Sequence, residues 1–152
     1  MNVPDAFEPV HAWRTWRVVR TRSGLRLSSV VHDDVWQPRE ELRAVCAHHH
    51  AHDAPDATCD CGIYGVRSDA SAARYLLGRN DPGVVRRVLG IVSLWGAVYE
   101  GVDGWRARFA YPHELWLPDA ADEVAVALEA YGVPVYPAQA PVNTGAPALA
   151  RA

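Results

Sequence analysis

Three cysteines and four histidines occur within sixteen residues in the middle of the chain, and these are residue types that bind metals. Their spacing is Cys46-x5-His52-x6-Cys59-x-Cys61. Three thiolates and one imidazole fill the tetrahedral shell of a structural zinc ion. In an extended strand, Cys59 and Cys61 would point to opposite faces, so joint binding requires a bend, which Gly62 permits. The pattern predicts a metal centre formed by Cys46, His52, Cys59 and Cys61.

The choice of histidine rests on the local sequence. His52 is followed by Asp53-Ala54-Pro55, which stiffens the loop, and it is therefore the preferred ligand. His48, His49 and His50 lie in the same loop and are the alternative ligands. They are equally consistent with an exposed cluster that binds metal ions adventitiously, so the imidazole ligand stays open at this point.

Zinc is the ion that this set of ligands favours, and a [2Fe–2S] cluster is the alternative cofactor. The simplest interpretation without a metal is that the cysteines are small core residues beside a solvated histidine loop. No glutamate follows any of the candidate ligand histidines as in H-E-x-x-H, and the H-x-E and P-C-x-x-C pattern of zinc deaminases is absent from the sequence. The sequence therefore leaves open whether the chain is an enzyme.

Composition limits the partners and the cellular compartment that we expect for this protein. The net charge is −3, and all fifteen basic residues are arginine, so the chain as a whole has no attraction to nucleic acid or acidic membranes. No apolar run approaches the roughly 18 residues of a membrane span, and the first residues lack the pattern of a signal peptide. We expect a cytoplasmic protein without membrane contact, and a reducing cytoplasm favours metal-bound thiolates over disulfides.

The elements that must position the loop are predicted from periodicity and turn residues. Strands are expected at 11–20, 25–31, 61–66, 84–99, 105–111 and 133–136; helices are expected at 38–46, 69–77 and 120–131; and 47–60 is a long loop. Hairpins interspersed with helices predict an α+β fold, a mainly antiparallel sheet with two or three helices and a metal-bound loop. The expected organisation is a flexible arm over 1–10, a single domain over 11–136, and a disordered Ala/Pro-rich tail over 137–152.

The first predicted hairpin is rich in arginine and tryptophan, a combination that some nucleic-acid-binding surfaces use. The overall acidic charge favours an ordinary strand whose arginines are solvated and whose tryptophans lie in the core. Nucleic acid is therefore a possible partner that the sequence does not favour. The residues concerned are Trp13, Arg14, Trp16, Arg17, Arg20, Arg22 and Arg26.

Two segments, HDAPDATCDCGIYG (52–65) and GIVSLWGAVYEGVDGWRARFAYPHEL (90–115), resemble a family of short, uncharacterised actinobacterial proteins. The resemblance spans roughly 36–117 and implies that Cys46, His52, Cys59 and Cys61 act as one unit. It implies no activity, and residues 48–50 are not part of the shared motif. Our leading hypothesis is a zinc-stabilised binding or adaptor domain with a protein partner. The alternatives are a metal- or [2Fe–2S]-dependent redox or enzymatic protein, and a nucleic-acid-binding module.

Overall fold

β-branched and aromatic residues dominate the longest strands of the chain, as their preference for a pleated, half-buried surface predicts. The computed structural model describes residues 2–77, 82–117 and 122–137. The strands are β1 (Asn2–Thr21), β2 (Gly24–Ser29), β3 (Val35–Trp36), β4 (Leu42–Arg43), β5 (Ile63–Val66), β6 (Val84–Glu100), β7 (Gly104–Trp116) and β8 (Val135–Tyr136). The helices are α1 (Asp69–Ala73) and α2 (Asp122–Leu128), each followed by a 3₁₀ turn, Arg74–Leu76 and Glu129–Tyr131.

The eight strands belong to one mostly antiparallel sheet. β6 pairs with β1 along one edge and with β7 along the other, and β7 pairs with β8 in parallel. β5 pairs with β7 from Ile63↔Ala107 to Val66↔Gly104 and touches β1 at Trp13↔Val66. The pairings β1–β6–β7–β5–β1 therefore form a closed ring, which fixes β5 against β7 along its length and against β1 at its end.

The core fills this ring and the space under α2. Its largest fully buried side chains include Trp16, Leu27, Trp36 and Leu115. Burial of a side chain of this size contributes about 1.5–3 kcal/mol. The hydroxyl of buried Tyr131 accepts a hydrogen bond from the Leu27 amide at 2.8 Å and donates one to the Trp36 carbonyl. The 3₁₀ turn after α2 is thereby tied to β2 and β3.

The prediction of a mainly antiparallel α+β fold with two or three helices is confirmed, with two short helices in the described residues. The predicted helix over 38–46 is wrong. Arg39 has a positive φ of 66°, which interrupts a right-handed helix. Beyond it, Leu42 and Arg43 pair with Ala110 and Phe109 of β7. Long-range strand pairing overrides the local helix signals here.

The sequence predicts that both ends of the chain lack regular structure. The flexible arm over 1–10 stays a prediction. In the structure, β1 begins at Asn2, and its first residues pair with the end of β6 at Asn2↔Tyr99 and Val3↔Val98. The predicted tail over 137–152 lies outside the described residues from 138 onward. No helix in the described part of the chain is long and apolar enough to cross a lipid bilayer.

Candidate metal centre

Strand pairing explains why distant cysteines meet. β6 pairs with β7 along most of its length, so β4 and β5 both use the opposite edge of β7. β4 pairs with Phe109 and Ala110, and β5 pairs with residues 104–107. Cys46 follows β4 and Cys61 precedes β5, so both ends of the intervening loop are anchored on neighbouring positions of one strand. Between Arg43 and Ile63 the chain, all of it described, contains no helix or strand.

Two arginines of β7 hold the backbone of this loop. Arg106 Nη1 donates to the carbonyl oxygens of Asp56 at 3.0 Å and Cys61 at 2.8 Å. Arg108 Nε donates to the Ala54 carbonyl at 3.3 Å. Buried or partly buried carbonyls require such partners in an irregular segment. The guanidinium groups therefore shape the loop in addition to any metal.

The chain turns at Gly62, directly after the two closely spaced cysteines and before β5. The φ of Gly62 is 126°, and a Cβ at this position would lie 3.1 Å from the Cβ atoms of both Arg106 and Pro55. Before the bend, Asp56 Oδ1 accepts hydrogen bonds from the Thr58 amide at 2.9 Å and hydroxyl at 2.7 Å. These bonds lower the pKa of the Asp56 carboxyl. They also set the turn in which the Cys59 amide donates to the Asp56 carbonyl at 3.1 Å.

Four ligand atoms converge in the loop and form a group that can hold a metal ion. The ligand atoms of Cys46, His52, Cys59 and Cys61 all lie within 4.8 Å of one another. Cys46 Sγ is 3.7 Å from Cys59 Sγ, and Cys61 Sγ is 3.4 Å from His52 Nε2. Tetrahedral bonds of about 2.3 Å to sulfur and 2.0–2.1 Å to nitrogen require separations of about 3.8 Å and 3.5 Å. The spacing therefore suits one tetrahedral ion. We call these four residues the inner group.

The thiols of the inner group differ in acidity. Burial alone would raise the pKa of Cys46, but hydrogen bonds from the backbone of His50 and His48 and from the side chains of Cys59 and His52 outweigh it and lower the pKa to about 6. Burial, together with the neighbouring Cys59, raises the pKa of Cys61 to about 11. All three cysteines are free thiols. A thiolate is the form that binds metal, so Cys46 becomes available at a lower pH than Cys61 does.

The other loop histidines also lie close to the thiols. His50 Nδ1 is 3.8 Å from Cys46 Sγ and 3.7 Å from Cys59 Sγ. His48 Nε2 lies 2.8 Å from Asp60 Oδ1, and this pair raises the pKa of His48 and lowers that of Asp60. His48, His50 and His52 occur at every second residue, and this spacing is the sequence signal that places their side chains on the same side of the loop. Sequence reasoning missed Asp60, and it gave no role to the arginines of β7.

A groove of about 660 Å³ lies beside the loop, between β1, β2, β5 and α1. Four of its lining residues are large apolar side chains that are exposed to solvent: Val31, Val45, Tyr64 and Tyr75. Arg14 also lines it, donating to the Tyr64 carbonyl and, at 3.0 Å, to Ser29 Oγ. Burial lowers the pKa of Arg14 to about 10, although Asp34 opposes this shift. The Arg14 Nε has no hydrogen-bond partner among the described residues.

The arginine-rich hairpin is largely built into the domain. Trp13 and Trp16 are 3% and 0% exposed, so neither offers a face for base stacking. Arg17 is buried and donates to the carbonyls of Ser29 at 2.8 Å and His32 at 3.2 Å. These contacts give Arg17 a structural role within the sheet.

Comparison with protein-family models, with curated proteins and with solved structures finds no match to this chain.

Proposed function

We propose that the chain is a small binding domain whose long loop is held by zinc at the inner group, and that it recognises a protein partner through the adjacent groove. The observation that carries the zinc assignment is the agreement between the thiol and imidazole separations and those of a tetrahedral shell. Metal binding supplies folding free energy to a loop that has no helix or strand of its own.

A single ion suits the inner group better than a [2Fe–2S] cluster does. A cluster of two irons divides its four protein ligands into two pairs, one pair for each iron. The ligand atoms of the inner group do not separate into two pairs, because all four lie within 4.8 Å of one another. Four protein ligands also leave no open position, which is typical of structural rather than catalytic zinc.

The groove supplies the binding surface. Its exposed apolar side chains include Val31 at 75% and Val45 at 79% exposure, and the grouping of such side chains around one groove favours a binding surface. Arg14 adds a partly buried cation to the lining of the groove, and a guanidinium there attracts a carboxylate. We therefore assign the groove to an extended protein segment that carries apolar side chains and an acidic residue. Zinc fixes one wall of this groove, because Cys46 and Cys61 line it.

Position-specific photo-cross-linking in the native host tests this assignment. A photoreactive residue at Val45 is compared with one at Val126, which is also exposed but lies on α2, away from the groove. We expect a discrete adduct from position 45 that disappears with Arg14→Gln and after chelation, mapped to an acidic, apolar segment of the partner. Equal labelling from both positions contradicts the groove as the binding surface. An adduct from position 45 that is unaffected by Arg14→Gln and by chelation contradicts it as well.

A redox role has one specific observation in its favour. Cys46 has a pKa of about 6 and its sulfur lies 3.7 Å from that of partly exposed Cys59. Oxidation of this pair by one molecule of hydrogen peroxide would form one disulfide and two molecules of water. It would also release the metal, because two of its ligands are lost. Zinc release that follows peroxide stoichiometrically and reverses with a dithiol supports this alternative. Retention of zinc under the same treatment opposes it.

Nucleic-acid binding has less support, because the hairpin tryptophans are buried and Arg14 and Arg17 have partners inside the domain. Steeply salt-dependent binding to DNA or RNA would revive this alternative.

A further inference from the structure

A second set of potential ligands lies on the outer side of the same loop. His48 Nε2, Cys59 Sγ and a carboxylate oxygen of Asp60 all lie within 4.8 Å of one another. The His48 and Asp60 side chains are 54% and 77% exposed, whereas Cys46 and Cys61 of the inner group are buried. Cys59 belongs to both sets, so one sulfur lies between a buried group and an exposed one. We call His48, Cys59 and Asp60 the outer group.

We propose that the outer group binds a second divalent metal ion, with the Cys59 thiolate bridging the two ions. This inference rests on the inner zinc of the proposed function. A thiolate sulfur has more than one lone pair, so it can bind a second ion without leaving the first. Imidazole, thiolate and carboxylate are together a donor set typical of zinc and related transition metals.

Charge favours a second cation at this position. A divalent ion with three thiolates and a neutral imidazole carries one net negative charge, and the Asp60 carboxylate adds another. Among the arginines, Arg106 acts on Asp60, but its Nη1 donates to the carbonyls of Asp56 and Cys61. An outer ion would therefore be attracted to a locally negative surface.

A row of imidazoles connects the two groups. The ring centroids of His48 and His50 are 5.5 Å apart, and those of His50 and His52 are 5.4 Å apart. His50 Nδ1 also lies 3.7 Å from the proposed bridging sulfur. The row gives the outer ion a nearby additional imidazole, while His52 remains with the inner ion. In this arrangement His48 and His50, which are not part of the inner group, lie where they can bind the outer ion.

The geometry requires one small adjustment. His48 Nε2 and Asp60 Oδ1 are 2.8 Å apart, a hydrogen-bond distance, while two donors on one tetrahedral ion are separated by about 3.3 Å. Both side chains are largely exposed, so rotation to that separation meets little packing. Three protein ligands leave the fourth position open to water or to a donor from a partner. The outer ion would therefore bind more weakly, exchange faster and be able to take a partner's carboxylate, imidazole or thiolate.

Metal titration of the full chain tests the two-ion arrangement. Metal-free, reduced protein is titrated with Co²⁺ under anaerobic conditions, and the bound stoichiometry of Zn²⁺ is measured independently by equilibrium dialysis. We expect two ions per chain in two steps. His48→Ala and Asp60→Asn should each weaken the second step by at least about tenfold and leave the first unchanged. His49→Asn is the matched control, because His49 belongs to neither group and asparagine tolerates its positive φ of 59°.

The outcomes separate this inference from the proposed function. One ion per chain in the wild type, with the thiolate-to-Co²⁺ charge-transfer band intact, overturns the outer group and leaves the inner zinc standing. Two ions whose second step is the same in wild type, His48→Ala and Asp60→Asn also overturn it, since the extra ion then binds elsewhere. No bound ion at all overturns both assignments.

Discussion

Cys46 Sγ lies 3.7 Å from Cys59 Sγ, although the two residues are thirteen positions apart and belong to opposite ends of an irregular loop. The sheet creates this relationship, since β4 and β5 dock on the same edge of β7 and bring the loop ends together. A metal ion between these sulfurs would close the loop and fix one wall of the neighbouring groove.

Cys59→Ser should lower metal content and stability together. The substitution removes one inner ligand and the proposed bridge between the two ions. With free zinc at a hundredfold excess over its Kd, binding stabilises the wild type by about 2.7 kcal/mol, and the variant should lose most of that increment. Urea unfolding with and without a chelator measures it. Exposed Ala57→Ser in the same loop is the control and should behave like the wild type.

Retained metal and an unchanged chelator effect in Cys59→Ser would contradict the inner group. A loss of stability that is equal with and without chelator would instead point to a packing role for Cys59.

His52→Ala should weaken the tighter zinc-binding step by at least about tenfold, because its Nε2 lies 3.4 Å from Cys61 Sγ and within the inner group. Joint replacement of His48, His49 and His50 should leave that step nearly unchanged. Competition with a chromophoric zinc chelator measures both affinities. The reverse pattern would make His50, which also lies near two of the sulfurs, the inner imidazole ligand.

Gly62→Ala should destabilise the zinc-bound protein by about 1–3 kcal/mol. The backbone φ of 126° strains any residue with a Cβ, and that atom would lie 3.1 Å from the Cβ atoms of Arg106 and Pro55. Gly83→Ala is a matched control for the strain alone, since its φ is 90° and a Cβ there meets nothing within 4 Å. Thermal unfolding compares the two. Equal losses would show that crowding at the bend contributes nothing.

Tyr131→Phe should cost about 1–3 kcal/mol at neutral pH, because the Leu27 amide and the Trp36 carbonyl lose their buried partner. Burial raises the pKa of Tyr131 from 10 to about 12, so the folded state holds this proton more tightly than the unfolded state does. The stabilisation is therefore complete below pH 10 and declines as the pH rises from 10 to 12.

Urea unfolding of wild type and Tyr131→Phe across this alkaline range measures the effect. The difference in unfolding free energy should shrink as the pH rises. A constant difference would contradict the linkage between the buried hydroxyl and the stability of the fold.

The sequence predicts the parts of this molecule that depend on local signals. β-branched and aromatic runs locate the long strands, and the spacing of Cys46, His52, Cys59 and Cys61 picks out the residues that the fold brings together. Turn residues such as Gly132, with a φ of 71°, locate the end of the last helical segment.

Non-local pairing sets the limit of that prediction. Leu42 and Arg43 form a strand only because the free edge of β7 is available to them, and nothing in residues 38–46 reports that edge. The strand formed by residues 2–10 depends in the same way on pairing with β6. Asp60 enters the outer group because the Gly62 bend and the β7 arginines shape the backbone around it, a relationship that spacing alone does not encode.

Elemental analysis with a visible absorption spectrum, on untagged protein purified without nickel, is the direct test of zinc at the inner group. After dialysis against a weak chelator that strips exposed ions, the account predicts one zinc per chain and a colourless protein. Metal-free, folded protein would contradict it and return the three cysteines to packing or thiol chemistry. A brown protein containing iron and sulfide would contradict it in favour of a cluster.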